Sequence, residues 1–518
     1  MNSSLQQRDH AEPTTSRWLR GDSVVAGVTM LIFLTVLQRS VGLVRNVWFC
    51  RVLEDDELGR WSLAYNFLLL MAPLIVLGLP GSFGRYVERY RQRGQLRPFL
   101  WRTGVVCVIA ATACYLGMRL RADVIAHVVF GDASRVDLVH MLVTTLILVT
   151  TFNFLVELLT SLRLVRFAST MQLASSLGFA VFGILLLSWT PLREEAVMMA
   201  YAGGALLAAL FGMVVVVWYW RCLPPDAAPL PQRALWSVLL PFAGWIWTGN
   251  LFSNCFEVAD QFMLKYFSGL PAIAADSLVG QYYSSRVIPM LLISVATMLA
   301  GSLLPHLTRD WEAGNRDSAR RRLNTFTKLA AITFTVGAAG CLIASPVLFT
   351  WALRGKYDAG LAVLPGTLAY CTCYGIGCIA MNYLLCAEKA KLVSLALVCG
   401  LTINVGMNYL LAPQFGLIGV VVATIIANVA ALVLIFWMSS LAGMRWQTST
   451  LVATALPLSL PLGGLPALAI VAIVLALGWR ERWLATDHEQ ESLVELVSSL
   501  SARWHGRSDR SRQATPQA

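Results

Sequence analysis

Apolar stretches of about 20 residues recur along nearly the whole chain, with short polar segments between them. A helix rises about 1.5 Å per residue, so each stretch can cross the roughly 30 Å hydrocarbon core of a bilayer. Short alternating strands, as in a membrane barrel, are not the pattern here. The chain is therefore predicted to be an all-α polytopic membrane protein. Its clear spans are 23–48, 62–83, 99–118, 138–160, 168–189, 197–219, 237–257, 279–305, 328–352, 361–386, 392–412 and 416–440.

The segment 449–479 adds a further apolar region that is long for one helix and short for two. Pro457, Pro461 and Pro466 surround Gly463-Gly464 there, which favours a tight hairpin and about 14 spans in total. Basic residues fix the orientation, because cytoplasmic loops are enriched in Lys and Arg. With a cytoplasmic N-terminus, inner segments hold about 28 of the 40 Lys and Arg and outer segments about 10. The basic C-terminal tail is then also cytoplasmic, which requires an even number of spans.

The composition excludes an ordinary soluble protein. Hydrophobic residues make up 57% of the chain and charged residues only 13%, with a mean hydropathy of +0.64. The net charge of +11 follows from the basic inner loops, so we expect a lipid bilayer rather than nucleic acid as the partner. Cys371, Cys373 and Cys378 fall inside an apolar span without a nearby histidine, so no metal site is predicted.

Two halves of the sequence are similar at an offset of about 221 residues, where Gly59-x-Trp61 matches Gly280-x-Tyr282. Parallel repeats of this kind are typical of transporters. The predicted organisation is two six-helix lobes around a central cavity plus a C-terminal helix pair. Its segments are a cytoplasmic tail (1–22), an N-lobe (23–220), a cytoplasmic linker (221–236), a C-lobe (237–440), the hairpin (449–479) and a cytoplasmic tail with an amphipathic helix (480–518).

Several segments carry a family resemblance in the expected order. Residues 37–46 (LQRSVGLVRN) and 51–60 (RVLEDDELGR) resemble the first helix and following loop of the multidrug/oligosaccharidyl-lipid/polysaccharide flippase superfamily. Residues 280–286 (GQYYSSR), 303–307 (LLPHL) and 384–391 (LLCAEKAK) resemble its later helices. The resemblance implies a flippase that moves polyprenyl-diphosphate-linked oligosaccharides, such as O-antigen or exopolysaccharide repeat units, by alternating access across the bacterial inner membrane.

Arginines inside the spans are the main candidates for substrate binding. Arg39, Arg45 and Arg286 lie at positions where the related lipid II flippase is expected to bind diphosphate with arginine. Arginine stays charged and pairs two phosphate oxygens at once, and a charge in a span should face a cavity or a partner. The second span lacks the arginine of the lipid II flippase, and Asn46 and Ser285 replace its acidic residues. These departures favour the polysaccharide branch over lipid II, which remains an alternative.

Other polar residues in the spans have two interpretations each. Glu257 and Asp260 share one helix face and, with Glu157, are candidates for Na+ or H+ coupling or for salt bridges. Asn46, Asn250 and Asn254 are candidates for sugar contacts or for bonds between helices. Tyr282 is a candidate for a sugar contact or for an interfacial anchor.

Two other functional classes compete with the flippase. A multidrug exporter of the same superfamily should have an acidic cavity, whereas the first and eighth spans carry arginine. An enzyme such as a glycosyltransferase needs a sizeable outer loop with catalytic acids, and the outer loops are short, so no enzymatic activity is expected. The expected partners are the lipid-linked glycan, the bilayer and polysaccharide assembly proteins, and the chain is expected to act as a monomer.

Overall fold

The structure is a computed structural model that describes residues 24–223 and 230–480. Every regular element within these residues is helical, which confirms the all-α prediction. The α-helices are α1 (Val24–Val52), α2 (Asp55–Ile75), α3 (Phe83–Gln92), α4 (Leu96–Leu120), α5 (Ala122–Phe130), α6 (Val136–Ser161), α7 (Val165–Trp189), α8 (Glu194–Cys222), α9 (Gln232–Phe267), α10 (Ala272–Arg286), α11 (Pro289–Glu312), α12 (Arg316–Val347), α13 (Asp358–Ala380), α14 (Asn382–Cys386), α15 (Ala390–Leu441), α16 (Thr448–Ala455) and α17 (Gly464–Arg480). The predicted tail 1–22, the predicted tail 480–518 with its amphipathic helix beyond Arg480, and part of the predicted linker (224–229) lie outside the described residues.

Nine helices in the described part of the chain are long and apolar enough to cross a membrane, so the protein is a multi-pass membrane protein. One of them, α15, has 52 residues, about twice the length of a single crossing. Gly416 interrupts it with φ 54° and ψ −128°, at the first residue of the predicted span 416–440. Two further apolar helical segments, Thr448–Leu462 and Gly464–Gly478, are separated by Gly463, whose φ is 109°.

Two predicted spans are interrupted where proline or glycine prevents a continuous helix. Within the predicted span 62–83, α2 ends at Ile75, because Leu77 and Gly78 adopt φ values of 54° and 67°. A 3-10 turn follows at Pro80–Ser82. A Cβ on Gly78 would lie 2.6 Å from the carbonyl oxygen of Ala243, so glycine also permits the close approach of α9. The predicted span 279–305 divides between α10 and α11, because Pro289 has no N–H to continue the hydrogen-bond ladder.

The chain forms two compact units, and the first contains all the predicted site residues that are described. It comprises Met1–Val287, Phe349–Gly360 and Asn404–Val420. Within it, α7 packs against α8 and α1, while α2 packs against α9 and α10. Two buried ion pairs stabilise this unit: Arg60 on α2 with Glu194 on α8 (2.6 Å), and Lys265 on α9 with Asp276 on α10 (2.5 Å).

The second unit comprises Ile288–Leu348, Leu361–Ile403 and Val421–Ala518. Its core includes an apolar cluster on α11, α12, α13 and α14, with Leu303, Phe334, Ile379 and Tyr383 buried. Asn324 of α12 is buried and accepts hydrogen bonds from the backbone of Gln447 and the hydroxyl of Thr450. These bonds fix the start of α16 against α12.

Candidate functional site: an arginine and tyrosine cluster

Arg45, near the end of α1, is held by an amide and an aromatic ring. Its Nε and Nη2 both donate to Oδ1 of the adjacent Asn46, at 3.2 and 3.1 Å. Its guanidinium carbon lies 4.0 Å from the centre of the Phe179 ring on α7, a cation–π contact. The guanidinium is therefore fixed in position while its charge stays inside the protein.

The Phe179 ring belongs to an aromatic cluster that joins four helices. Tyr201 lies 4.9 Å from Phe179 and Phe49 lies 5.4 Å from it, measured between ring centres. Trp61 and Tyr65 of α2 complete the cluster, each within 6 Å of the Tyr201 ring. The tilted and edge-on geometries are those that aromatic quadrupoles favour.

Small residues explain why these rings meet. A Cβ on Gly204 of α8 would lie 2.7 Å from the backbone nitrogen of Phe179, so α7 and α8 touch through their backbones. A Cβ on Gly183 of α7 would lie 2.7 Å from the ring of Phe49, which brings α1 onto the same face. Close approach through small residues is the usual way in which membrane helices associate.

The phenol of Tyr65 is the point at which the predicted charged residues converge. Arg39, Arg45 and Arg286 all lie within its electrostatic range, and so does Glu257 of α9. Arg45 is half-buried and Arg286 is buried, whereas Arg39 and Glu257 are exposed side chains. Charged residues from α1, α9 and α10 therefore all influence the phenol of Tyr65 on α2 electrostatically. Sequence reasoning missed Tyr65, since a tyrosine in an apolar span carries no distinguishing pattern.

Arg286, the last residue of α10, is linked through Tyr282 to a buried carboxylate. Its guanidinium carbon lies 5.5 Å from the centre of the Tyr282 ring, and the Tyr282 hydroxyl donates to Oδ2 of Asp260 at 2.7 Å. The Tyr282 ring is fully buried. In this conformation it contacts Arg286 and Asp260 and is shielded from a sugar.

Asp260 lies at the centre of a polar cluster in the interior. Besides Tyr282, the side-chain amides of Asn404 and Asn408 on α15 each donate to its Oδ1 at 2.9 Å. The carboxylate is 3% exposed, whereas Glu257, one turn earlier on α9, is exposed. The two acids predicted to share a face thus occupy different environments. A buried carboxylate that accepts three hydrogen bonds is a negatively charged group that can bind a cation.

The other predicted residues are more dispersed. Nδ2 of Asn254 donates to the backbone carbonyl of Leu69 on α2 at 3.0 Å, which is a bond between helices. Asn250 on α9 is half-buried, and it forms no side-chain hydrogen bond within the described part of the chain. Glu157 on α6 is exposed and forms no ion pair among the described residues.

Comparison with known families agrees with this architecture. Residues 24–311 match the family model described as polysaccharide biosynthesis protein, and residues 267–486 match the one described as lipid II flippase MurJ. The lipid II flippase MurJ of Bacillus subtilis is 19% identical over 446 residues, which cover 79% of this chain and 81% of that protein.

Solved structures share the fold at low sequence identity. Lipid II flippase MurJ in an inward closed conformation superposes with a TM-score of 0.67 at 13% identity, covering 88% of this chain and 99% of that one. An inward-facing multidrug resistance transporter of the MATE family superposes with a TM-score of 0.64 at 13% identity, covering 78% of this chain and 95% of that one. The two likenesses show the fold and do not distinguish between substrates.

Proposed function

The chain belongs to the polysaccharide biosynthesis protein family, within the multidrug/oligosaccharidyl-lipid/polysaccharide flippase superfamily, and on that premise we propose that it translocates a polyprenyl-diphosphate-linked oligosaccharide across a membrane. The relatives are transporters and flippases rather than enzymes. The proposed cargo is an O-antigen or exopolysaccharide repeat unit. The proposed location is the bacterial inner membrane, with the N-terminus in the cytoplasm, where polysaccharide assembly proteins would receive the product.

The balance of charge around Tyr65 is the observation that carries this proposal. Arg39, Arg45 and Arg286 are all electrostatic neighbours of its phenol. A diphosphate diester carries about two negative charges, and arginine side chains bind such an anion through paired hydrogen bonds. Cationic drugs would instead require an excess of acids.

The chemistry of arginine supports the same assignment. Its guanidinium remains protonated and can donate two parallel hydrogen bonds to phosphate oxygens. Placing a charge within a span costs ~3 kcal/mol on insertion scales, so several arginines within the spans need a functional reason. In the proposed mechanism, Arg39, Arg45 and Arg286 bind the diphosphate, and alternating access then exposes it to the opposite side.

Asp260 is the proposed site of Na+ or H+ coupling, with Glu257 and Glu157 as the other candidates. Support comes from its burial and from its link through Tyr282 to Arg286, which connects a buried carboxylate with a proposed substrate ligand. Binding of a cation at Asp260 would rearrange the three donors that now point at the carboxylate. Asn250 stays a candidate for a sugar contact, since its amide is half-buried on the same helix.

Translocation of lipid II is the second candidate function. The match of residues 267–486 to the lipid II flippase family model favours it. Both functions require a diphosphate site, so they differ in the glycan that is recognised. A multidrug exporter is disfavoured by the positive charge around Tyr65.

Complementation in two bacterial hosts tests the proposal. One host lacks its repeat-unit flippase, and the other depends on a supplied lipid II flippase. We expect the chain to restore surface polysaccharide in the first host and to lose that activity on Arg39→Ala or Arg286→Ala. The matched control is Arg89→Ala, which removes an exposed arginine on α3 outside the cluster. Rescue of the second host alone would favour lipid II, and drug resistance without either rescue would overturn the proposal.

A further inference from the structure

The segment 349–360, which leads from the end of α12 into the first turn of α13, is attached to a different part of the chain from those two helices. The rest of α12 and α13 belongs to the second unit, whereas residues 349–360 belong to the first. The Tyr357 hydroxyl and Lys356 Nζ both donate to the carbonyl oxygen of Leu53, at 3.3 and 3.4 Å. Lys356 also forms an ion pair with Glu54 at 2.7 Å. Residues 349–360 therefore form a strap that is fixed to the turn before α2.

Gln281 of α10 joins the strap to α2, and both ends of its side-chain amide are used. Its Nε2 donates to the carbonyl oxygen of Lys356 at 3.0 Å and to Oδ2 of Asp55 at 3.2 Å. Its Oε1 accepts from the backbone nitrogen of Gly360 at 3.0 Å. A Cβ on Gly360 would lie 2.6 Å from the carbonyl oxygen of Gln281, so glycine permits this close approach. Glutamine supplies two donors and an acceptor at one position, which glutamate cannot do.

The contacts of the strap are of a kind that can break and form again. Each is a hydrogen bond or an ion pair, so water can replace it when the strap detaches, and the net cost is small. Lys356 and Glu54 are both partly exposed, so water already reaches their ion pair. Helices α7 and α8 of the same unit meet through small and apolar residues instead, with Ala200 and Ala208 buried. Separating those helices would expose apolar surface to solvent.

We propose that the strap is a releasable clasp: Gln281 holds residues 349–360 against the start of α2 in this conformation, and the clasp opens in each transport cycle. The strap is covalently continuous with α12 and α13, so movement of those helices away from α2 has to detach it. The inference rests on the proposed function, because a protein that only bound its ligand would have no need to open the clasp.

Labelling of a cysteine beneath the strap measures opening without any substrate. Ser284 of α10 is 3% exposed, and a Cβ on Gly360 would contact its hydroxyl, so Ser284→Cys places a thiol under the strap. The rate of its reaction with a maleimide is measured on the full-length protein in nanodiscs. Parallel labelling of the protein without Ser284→Cys corrects for the native cysteines.

Gln281→Glu should accelerate this labelling about tenfold or more, because it removes the donor to Asp55 and places a second carboxylate against it. Gln281→Ala removes the hydrogen bonds without adding charge, so a smaller acceleration is expected. The matched control is Gln92→Glu, which adds the same charge at an exposed position on α3. Labelling of both Gln281 variants at the rate of the control would overturn the proposal.

A reversible cross-link tests whether the clasp has to open during transport. Glu54→Cys and Lys356→Cys replace the ion pair with two thiols, which a bifunctional thiosulfonate reagent can join and a reductant can release. In proteoliposomes, transfer of a fluorescent polyprenyl-diphosphate oligosaccharide, the diphosphate probe, should fall about tenfold or more after cross-linking and recover after reduction. Each single variant, treated in the same way, controls for the native cysteines and should keep its rate.

The two measurements separate failure of the clasp from failure of the proposed function. Cross-linked protein that transfers the probe at the rate of the single variants overturns the clasp and leaves the proposed function intact. An unaltered protein that does not transfer the probe overturns the proposed function. The labelling rates of Ser284→Cys then still decide whether Gln281 fastens the strap.

Discussion

Helices α2 and α10 cross at Gly59 and Gly280, so closely that neither position has room for a side chain. A Cβ on Gly59 would clash with the carbonyl oxygen of Asp276, and a Cβ on Gly280 would clash with that of Asp55. The two contacts are reciprocal, since each glycine meets the backbone of the residue four positions before the other glycine. The 221-residue spacing between the glycines is the offset of the predicted internal repeat, so the two matching motifs pack against each other.

Substitution of Gly59 should therefore disrupt both function and stability. In Gly59→Ala the added methyl group would force α2 and α10 apart, at a cost of about 1–3 kcal/mol or more. We expect a lower melting temperature in nanodiscs and loss of polysaccharide export. Gly244→Ala on α9 is the control, since a Cβ there meets no atom within 4 Å. Equal behaviour of the two variants would show that the crossing tolerates separation.

Asn254 should contribute stability through a bond that Pro73 makes necessary. Pro73 has no N–H, so the carbonyl of Leu69, four residues earlier, lacks its helical partner and accepts from Asn254 instead. Asn254→Ala should destabilise the protein by about 0.6–1.7 kcal/mol. In the Pro73→Ala background the helix can supply its own donor, so the same substitution should cost much less. A double-mutant cycle of unfolding free energies measures this coupling, and additive effects would contradict it.

Asp260 should be required for ion coupling and less important for binding of the substrate. Asp260→Asn keeps the size of the side chain and removes its charge, so transport should lose its dependence on Na+ or on pH while binding of the diphosphate probe changes little. Glu257→Gln, one turn away and exposed, is the matched control and should retain the ion dependence. Transport rates measured in proteoliposomes with varied Na+ and pH gradients test this prediction. Loss of the dependence in Glu257→Gln alone would assign the coupling to Glu257.

The sequence predicted the helical class and many of the candidate charged residues, because a charged residue within an apolar stretch is conspicuous. It did not predict where the helices break at Gly78 and Pro289, since the apolar pattern continues through both positions. Helical periodicity placed Glu257 and Asp260 on one face. Packing against Asn404 and Asn408 of a distant segment decides that Asp260 alone is buried.

Tyr65 and Asn254 show a second limit of sequence reasoning. Tyr65 acquires its importance only when α1, α9 and α10 bring charges to it, and this convergence depends on contacts that are distant in sequence. Asn254 was open to two interpretations, and Pro73 could have indicated the structural one, since a proline in a helix leaves a carbonyl that needs a donor. The need for a hydrogen-bond donor near Pro73 can thus be predicted from the sequence, whereas the role of Tyr65 follows only from tertiary contacts.

Translocation in a purified system is the most direct test of the central claim that arginines around Tyr65 carry a diphosphate-linked glycan. Proteoliposomes would contain a fluorescent polyprenyl-diphosphate oligosaccharide and either the unaltered protein, Arg39→Ala, Arg286→Ala or the control Arg89→Ala. The account predicts transfer between leaflets for the unaltered protein and the control, and a loss of about tenfold or more for the other two variants. Transfer by Arg39→Ala and Arg286→Ala at the rate of the control would contradict it.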